Sequence, residues 1–134
     1  MKSSARLIGP FASEIDNGRG HRVVTDLPAE QSGGNAGPTA LELCVMSFAG
    51  CLTTIWALVA RNSGVAYESF RVEVEADKPQ GAKTLAAVRA TAFVKSAAEA
   101  DRLERILEKT VKVCPVGVLL EQAGVKIEHH LTKE

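Results

Sequence analysis

Between Glu42 and Arg61 lies a run of 18 residues, Leu43 to Ala60, without one charged side chain: LCVMSFAGCLTTIWALVA. No other feature of the chain restricts its fold as much. An apolar run of that length reads as a helix, and a helix apolar on every side belongs in a membrane, at the centre of a protein or between subunits. Ser47, Ala49, Gly50, Thr53 and Thr54 make this run less hydrophobic than a Leu/Ile/Val span. The other segments are amphipathic and need a common core, so a core or interface helix is expected and a membrane partner is not.

The flanks define the helix. Pro38-Thr39 opens it, and Thr39 with Glu42 three residues on forms a capping box, each side chain satisfying a backbone donor of the first turn. Gly64 stops it after Ser63. Before it, Asp16-Asn17-Gly18 marks a tight turn between short strands, Arg19 to Asp26 reads as a strand, and SGGNAG is a loop. After it, Phe70, Val72, Val74 and Ala76 alternate with Arg71, Glu73, Glu75 and Asp77, a half-buried strand. Val88, Ala90, Ala92 and Val94 repeat the pattern and complete a hairpin across the Lys78 to Lys83 loop.

Ser96 and Glu99 suggest a second capping box, followed by an amphipathic helix with Leu103, Ile106, Leu107 and Val111 on one face. Pro115 begins a shorter helix that ends near Gly124, and Val125 to Leu131 reads as a last strand. Strands, long helix, strand pair, helix, short helix and strand make an α+β fold, a single domain over residues 1–134. One small sheet and one amphipathic helix cannot cover an all-round apolar helix. A homodimer that buries it is therefore expected.

Composition removes several classes of function. Sixteen basic and sixteen acidic side chains cancel, which leaves no electrostatic footprint for nucleic acid. The amino-terminal MKSSARLIGPFASEI lacks an apolar core of signal-peptide length, so the cytoplasm is the expected compartment. There, three cysteines read as free, catalytic or metal-bound thiols rather than structural staples. No C-x-x-C or H-x-x-x-H spacing is present, and His129 and His130, adjacent on a strand, face opposite sides, so no metal is expected.

Two of the thiols stand out. Cys114 directly precedes Pro115, at the N-cap of the short helix, where free N–H groups and the dipole favour a thiolate. Cys51 lies mid-helix, where a cysteine alone is core, but Gly50 beside it leaves room for another backbone or a small substrate. Cys44 is two turns earlier, roughly 10 Å away at 1.5 Å rise per residue, too far to bridge directly to Cys51. It reads as core or interface. If Cys51 and Cys114 meet, they can form a reversible two-cysteine redox couple.

The run GGNAGPTALELCVMSFAGC followed by KVCPVG resembles the OsmC/Ohr superfamily, with a glycine-rich loop, a proline and a glutamate before the helix that carries the first cysteine, and a later Cys-Pro-Val. The resemblance extends over most of the chain, because the element order also fits. It implies antiparallel sheets around a long central helix and an intertwined homodimer with sites at the subunit interface. It also implies a cysteine-based peroxidase. Cys51 matches the peroxidatic cysteine, which becomes a sulfenic acid on attacking a hydroperoxide, and Cys114 matches the cysteine that resolves it to a disulfide. A dithiol reductant would close the cycle without a bound cofactor. An apolar pocket by the helix would suit organic hydroperoxides.

This chain departs from the hydroperoxide-resistance branch at three places. Leu41 occupies the position of a glutamate that pairs with an arginine there, and Glu42, the candidate third site residue, follows it as in the broader OsmC-like members. Gly9 and Pro10 stand near the place of the arginine, with Arg6, Arg19 and Arg22 as nearby substitutes. Gly117 replaces a serine. The resemblance is closer to general OsmC-like proteins, and a stress-associated protein that binds a small apolar ligand with little turnover is the alternative function.

Overall fold

In the computed structural model, which describes residues 1–134, the chain forms two compact units, Met1–Cys44 and Val45–Glu134. The first begins with an antiparallel sheet of three short strands in sequential order, β1 (Ser4–Leu7), β2 (Ser13–Asp16) and β3 (Arg22–Thr25). The turn between β2 and β3 is built by its own side chains. Asp16 Oδ1 accepts the Gly18 N–H, and Asn17 Oδ1 accepts those of Arg19 and His21. This turn absorbs Arg19 to His21, so the strand expected from Arg19 begins at Arg22.

The glycine-rich loop is equally organised. Asp26, nearly buried, accepts N–H bonds from Leu27, Gly34 and Ala36 at 2.8, 3.0 and 3.1 Å. The Ala36 N–H above all, with those of Leu27 and Gly34, outweighs burial and holds its carboxyl below the usual range. Two glycines are required here by space: a Cβ at Gly33 would stand 1.9 Å from the Leu27 carbonyl oxygen, and one at Gly37 2.1 Å from that of Val24. The expected capping box is present. Glu42 Oε2 accepts from the Thr39 N–H at 2.7 Å and its hydroxyl at 2.9 Å, and Thr39 Oγ1 accepts the Glu42 N–H at 3.2 Å.

The helix so capped is α1, Ala40–Asn62, ended by Gly64 in the left-handed region at φ 63°. In the second unit it packs with α2 (Ala100–Val113) against a sheet of β4 (Ser69–Asp77), β5 (Ala87–Lys95) and β6 (Lys126–Lys133). Trp56, Val59 and Ala60 of α1, Ala92 and Val94 of β5, and Leu103, Ile106 and Leu107 of α2 form the core. Trp56 stacks on Phe70 at 4.3 Å, and its indole N–H, fully buried, meets no acceptor. The other sheet face is solvated and carries Arg71 over Phe93 and Arg89 between Glu75 and Glu128.

Three expectations change in detail. β6 joins β5 in parallel, pairing Ala87 with Lys126 through Val94 with Lys133, so this sheet is mixed rather than wholly antiparallel. The reason is the connection: α2 and α3 (Pro115–Gln122) carry the chain back across the sheet before β6 begins. Ser96 and Glu99 do not form a capping box. Glu99 is the N-cap without a side-chain bond, while Ser96 Oγ donates to the Ala66 carbonyl at 2.6 Å and accepts the Ala98 N–H. On α2 it is Thr110 that completes the buried face, its hydroxyl satisfied by the Ile106 carbonyl at 2.7 Å, while Val111 is only partly covered.

Candidate functional site

The Cys-Pro dipeptide dictates the local backbone around the second thiol. A residue before proline is pushed out of the helical region, so α2 must end there, while proline is well suited to the first position of a new helix. Cys114 is accordingly extended, at φ −70° and ψ 113°, and caps α2 at one end and α3 at the other. Its side chain is fully buried and accepts the Gly117 N–H at 3.4 Å.

Cys51, half-buried on α1, receives that side chain. Cys114 Sγ lies 2.6 Å from Cys51 Sγ. Burial first, and the bond to Cys51 second, push the Cys114 thiol up to about 11, against the Gly117 N–H that favours the charged form. The helix-start thiolate expected from sequence is thus corrected. At this short helix desolvation outweighs the N–H groups of Gly117 and Val116, and Cys114 stays neutral.

Around Cys51 the helix is small and hydroxylated. A Cβ on exposed Gly50 would meet nothing within 4 Å, and Thr53 and Thr54 both donate to the Gly50 carbonyl, at 2.9 and 3.0 Å. One turn beyond Cys51, Thr54 begins an open, mostly apolar groove of about 690 Å³ that Leu58, Arg61, Val65 and Tyr67 also line. Phe48, one turn before Cys51, is fully buried. The sequence marked it only as one apolar residue among many.

The remaining candidates have other occupations. Glu42 sits in the first turn of α1, and the Thr39 N–H and then its hydroxyl hold the carboxyl below the ordinary range. Arg6 pairs with Glu14 at 2.9 Å and Arg22 with Asp16 at 3.0 Å, both within the first sheet, and Arg19 lies in the β2–β3 turn. His21 contacts Asn17, while His129 and His130 lie on β6 opposite Ala90 and Thr91. Nowhere do three His, Cys, Asp or Glu side chains gather as metal ligands would.

The family model described as OsmC-like protein matches residues 33–130, most of the chain and all three cysteines. The chain belongs to the OsmC-like family. Solved structures agree with it across both units of this OsmC-like chain. An OsmC-like protein from Mycoplasma pneumoniae shares its fold at a TM-score of 0.87 and 15% identity, covering 98% of this chain and 95% of that one. An organic hydroperoxide resistance protein OsmC from Legionella pneumophila matches at 0.77 and 16% identity over 98% and 97%. The organic hydroperoxide resistance protein OhrB of Bacillus subtilis matches at 0.67 and 16% identity over 98% and 96%. No curated protein matches the OsmC-like chain by sequence.

Proposed function

We propose that this OsmC-like chain is a thiol-dependent peroxidase acting on organic hydroperoxides. The observation that carries the reading is the 2.6 Å approach of two thiols, one mid-helix on α1 and one at the joint of α2 and α3. In the proposed cycle the Cys51 thiolate attacks the distal peroxide oxygen, the O–O bond breaks, and the alkoxide takes a proton from solvent and leaves as the alcohol while Cys51 becomes a sulfenic acid. Cys114 then gives up its proton and attacks the Cys51 sulfur, forming the S–S bond and releasing water. An external dithiol reduces that bond and is itself oxidised to a disulfide.

Cys51 is only half-buried, which leaves a peroxide access, and the groove beginning at Thr54 suits an apolar substituent better than hydrogen peroxide alone. Glu42 enters as a positioning residue, fixing the start of the helix that carries the nucleophile. A second copy of the chain is the proposed cover for the apolar residues of α1 that its own chain leaves in solvent, Met46 at 55% and Leu58 at 40% exposure. The cytoplasm, which keeps thiols reduced between turnovers, is the proposed setting.

A second reading has its own support. Glu42 is engaged by Thr39, and Arg6 and Arg22 by carboxylates of their own sheet, while the groove stands open, which fits a stress-associated protein that holds a small apolar ligand with little turnover. Consumption of cumene hydroperoxide with a dithiol reductant, compared between the wild-type chain and Cys51→Ser, separates the two. Equal rates would remove the peroxidase.

A further inference from the structure

Phe48 lies one turn before Cys51 on α1, fully buried, and its ring rests on the first turn of α3 at a residue without a side chain. A Cβ on Gly117 would stand 3.2 Å from Phe48 Cε2, 3.5 Å from the Val111 carbonyl oxygen and 3.6 Å from Cys114 Cβ. Gly117 is buried and has no left-handed backbone angle to explain it. Glycine is unfavourable inside a helix, so what it supplies here is space for the ring.

We propose that the Phe48–Gly117 contact is a spacer that sets the separation of the Cys51 and Cys114 sulfurs, making both positioning residues for disulfide closure. It rests on the two-cysteine reading above. Phe48 shares an element with Cys51, and Gly117 bonds Cys114 Sγ through its own N–H. Ring against backbone therefore fixes α1 and α3 within a turn of each sulfur. A methyl at position 117 must displace a fully buried ring or the first turn of α3 by a few tenths of an ångström. A disulfide, which closes at about 2.05 Å with a defined dihedral angle, is intolerant of such shifts.

The test uses the whole chain in a glutathione redox buffer. Cys51 thiolate attacks oxidised glutathione and releases one reduced glutathione; Cys114 loses its proton to solvent, attacks the Cys51 sulfur of the mixed disulfide and releases the second. The ratio of closed to open protein at equilibrium gives the effective concentration of one thiol toward the other. Gly117→Ala is expected to lower it about tenfold. Phe48→Leu should lower it less, and Phe48→Leu added to Gly117→Ala should recover part of the loss, a coupling that independent sites would not show. Wild-type behaviour of Gly117→Ala, or a double variant no better than that single one, overturns the spacer. Should Gly117→Ala not fold, an unchanged effective concentration in Phe48→Leu alone overturns it. A wild-type chain that never closes the disulfide overturns both the spacer and the two-cysteine reading. No peroxide enters the experiment, so a chain that closes normally and loses closure in the variants supports the spacer even where hydroperoxide is not consumed.

Discussion

Cys114 Sγ stands 2.6 Å from Cys51 Sγ, and the two residues are held by unlike structures. One thiol is fixed mid-helix by the packing of α1; the other is fixed by a proline that forbids the helix to continue. In the proposed cycle half-buried Cys51 is the nucleophile and fully buried Cys114 the resolving thiol. Cys51→Ser is expected to lower hydroperoxide consumption by at least about 100-fold. Cys114→Ser should still reduce one equivalent and then accumulate sulfenic and sulfinic acid at Cys51, detectable by mass spectrometry. An unmodified Cys51 after one equivalent of peroxide would count against the mechanism.

The elevated Cys114 thiol sets a pH dependence. Its ordinary value is 9.0 and burial, with the bond to Cys51, raises it to about 11 in the folded chain. The folded state therefore binds the proton more tightly than the unfolded state. Its contribution to stability is fully present below pH 9.0 and is lost as pH rises toward about 11. Thermal melts of the reduced protein across this window should show a decline that is smaller in Cys114→Ser, which also controls for lysine titration. Parallel declines in the two would contradict the prediction.

Thr39→Ala removes the N-cap of α1 together with the hydroxyl that serves Glu42. A loss of about 1 kcal/mol in unfolding free energy is expected. Denaturant titration followed by the emission of Trp56, the sole tryptophan, measures it. Glu42→Gln keeps an acceptor for the Thr39 N–H and should cost less.

Trp56 combines large burial with an orphaned donor. Truncation of a buried tryptophan to alanine costs roughly 3–5 kcal/mol, while an unsatisfied buried N–H costs about 1–3 kcal/mol. Trp56→Phe keeps a ring against Phe70 and deletes the orphan. Circular-dichroism melts should place it much closer to wild type than Trp56→Ala, and equal losses in the two variants would contradict the prediction.

The exposed apolar residues of α1 predict assembly. Sedimentation should give twice the chain mass of 14.2 kDa, and Leu58→Arg, at a position already 40% exposed, should shift the chain toward monomer without loss of helicity. A wild-type monomer at low micromolar concentration would leave Met46 and Leu58 without their proposed cover.

Local chemistry made much of this fold legible. The period-two runs of β4 and β5, the Thr39–Glu42 box and the Asp16-Asn17-Gly18 turn each have a short-range cause, and each appears where that cause acts. Long-range relations were not legible. The parallel seat of β6 depends on where two helices deliver the chain, and Ser96 is drawn from a capping position by the Ala66 carbonyl, thirty residues away in sequence. At the site, Cys51 and Cys114 were readable as residue types, and the N-cap at Cys114 followed from Pro115. The protonation of Cys114 was not, because it is decided by burial, which no dipeptide encodes. Gly117 drew notice only as a departure from the family pattern, and the ring that occupies its space is 69 residues away in sequence, on α1.

The position of Cys114 at the joint between α2 and α3 has one more consequence. A bond from that joint to the middle of α1 would encircle the hairpin of β4 and β5 and the whole of α2, closing a loop between residues 63 apart. Chain-entropy arithmetic assigns such a cross-link about 4 kcal/mol against the unfolded ensemble. The oxidised molecule would then outlast the reduced one under heat or protease, so each chain would carry a readable record of its most recent encounter with an oxidant.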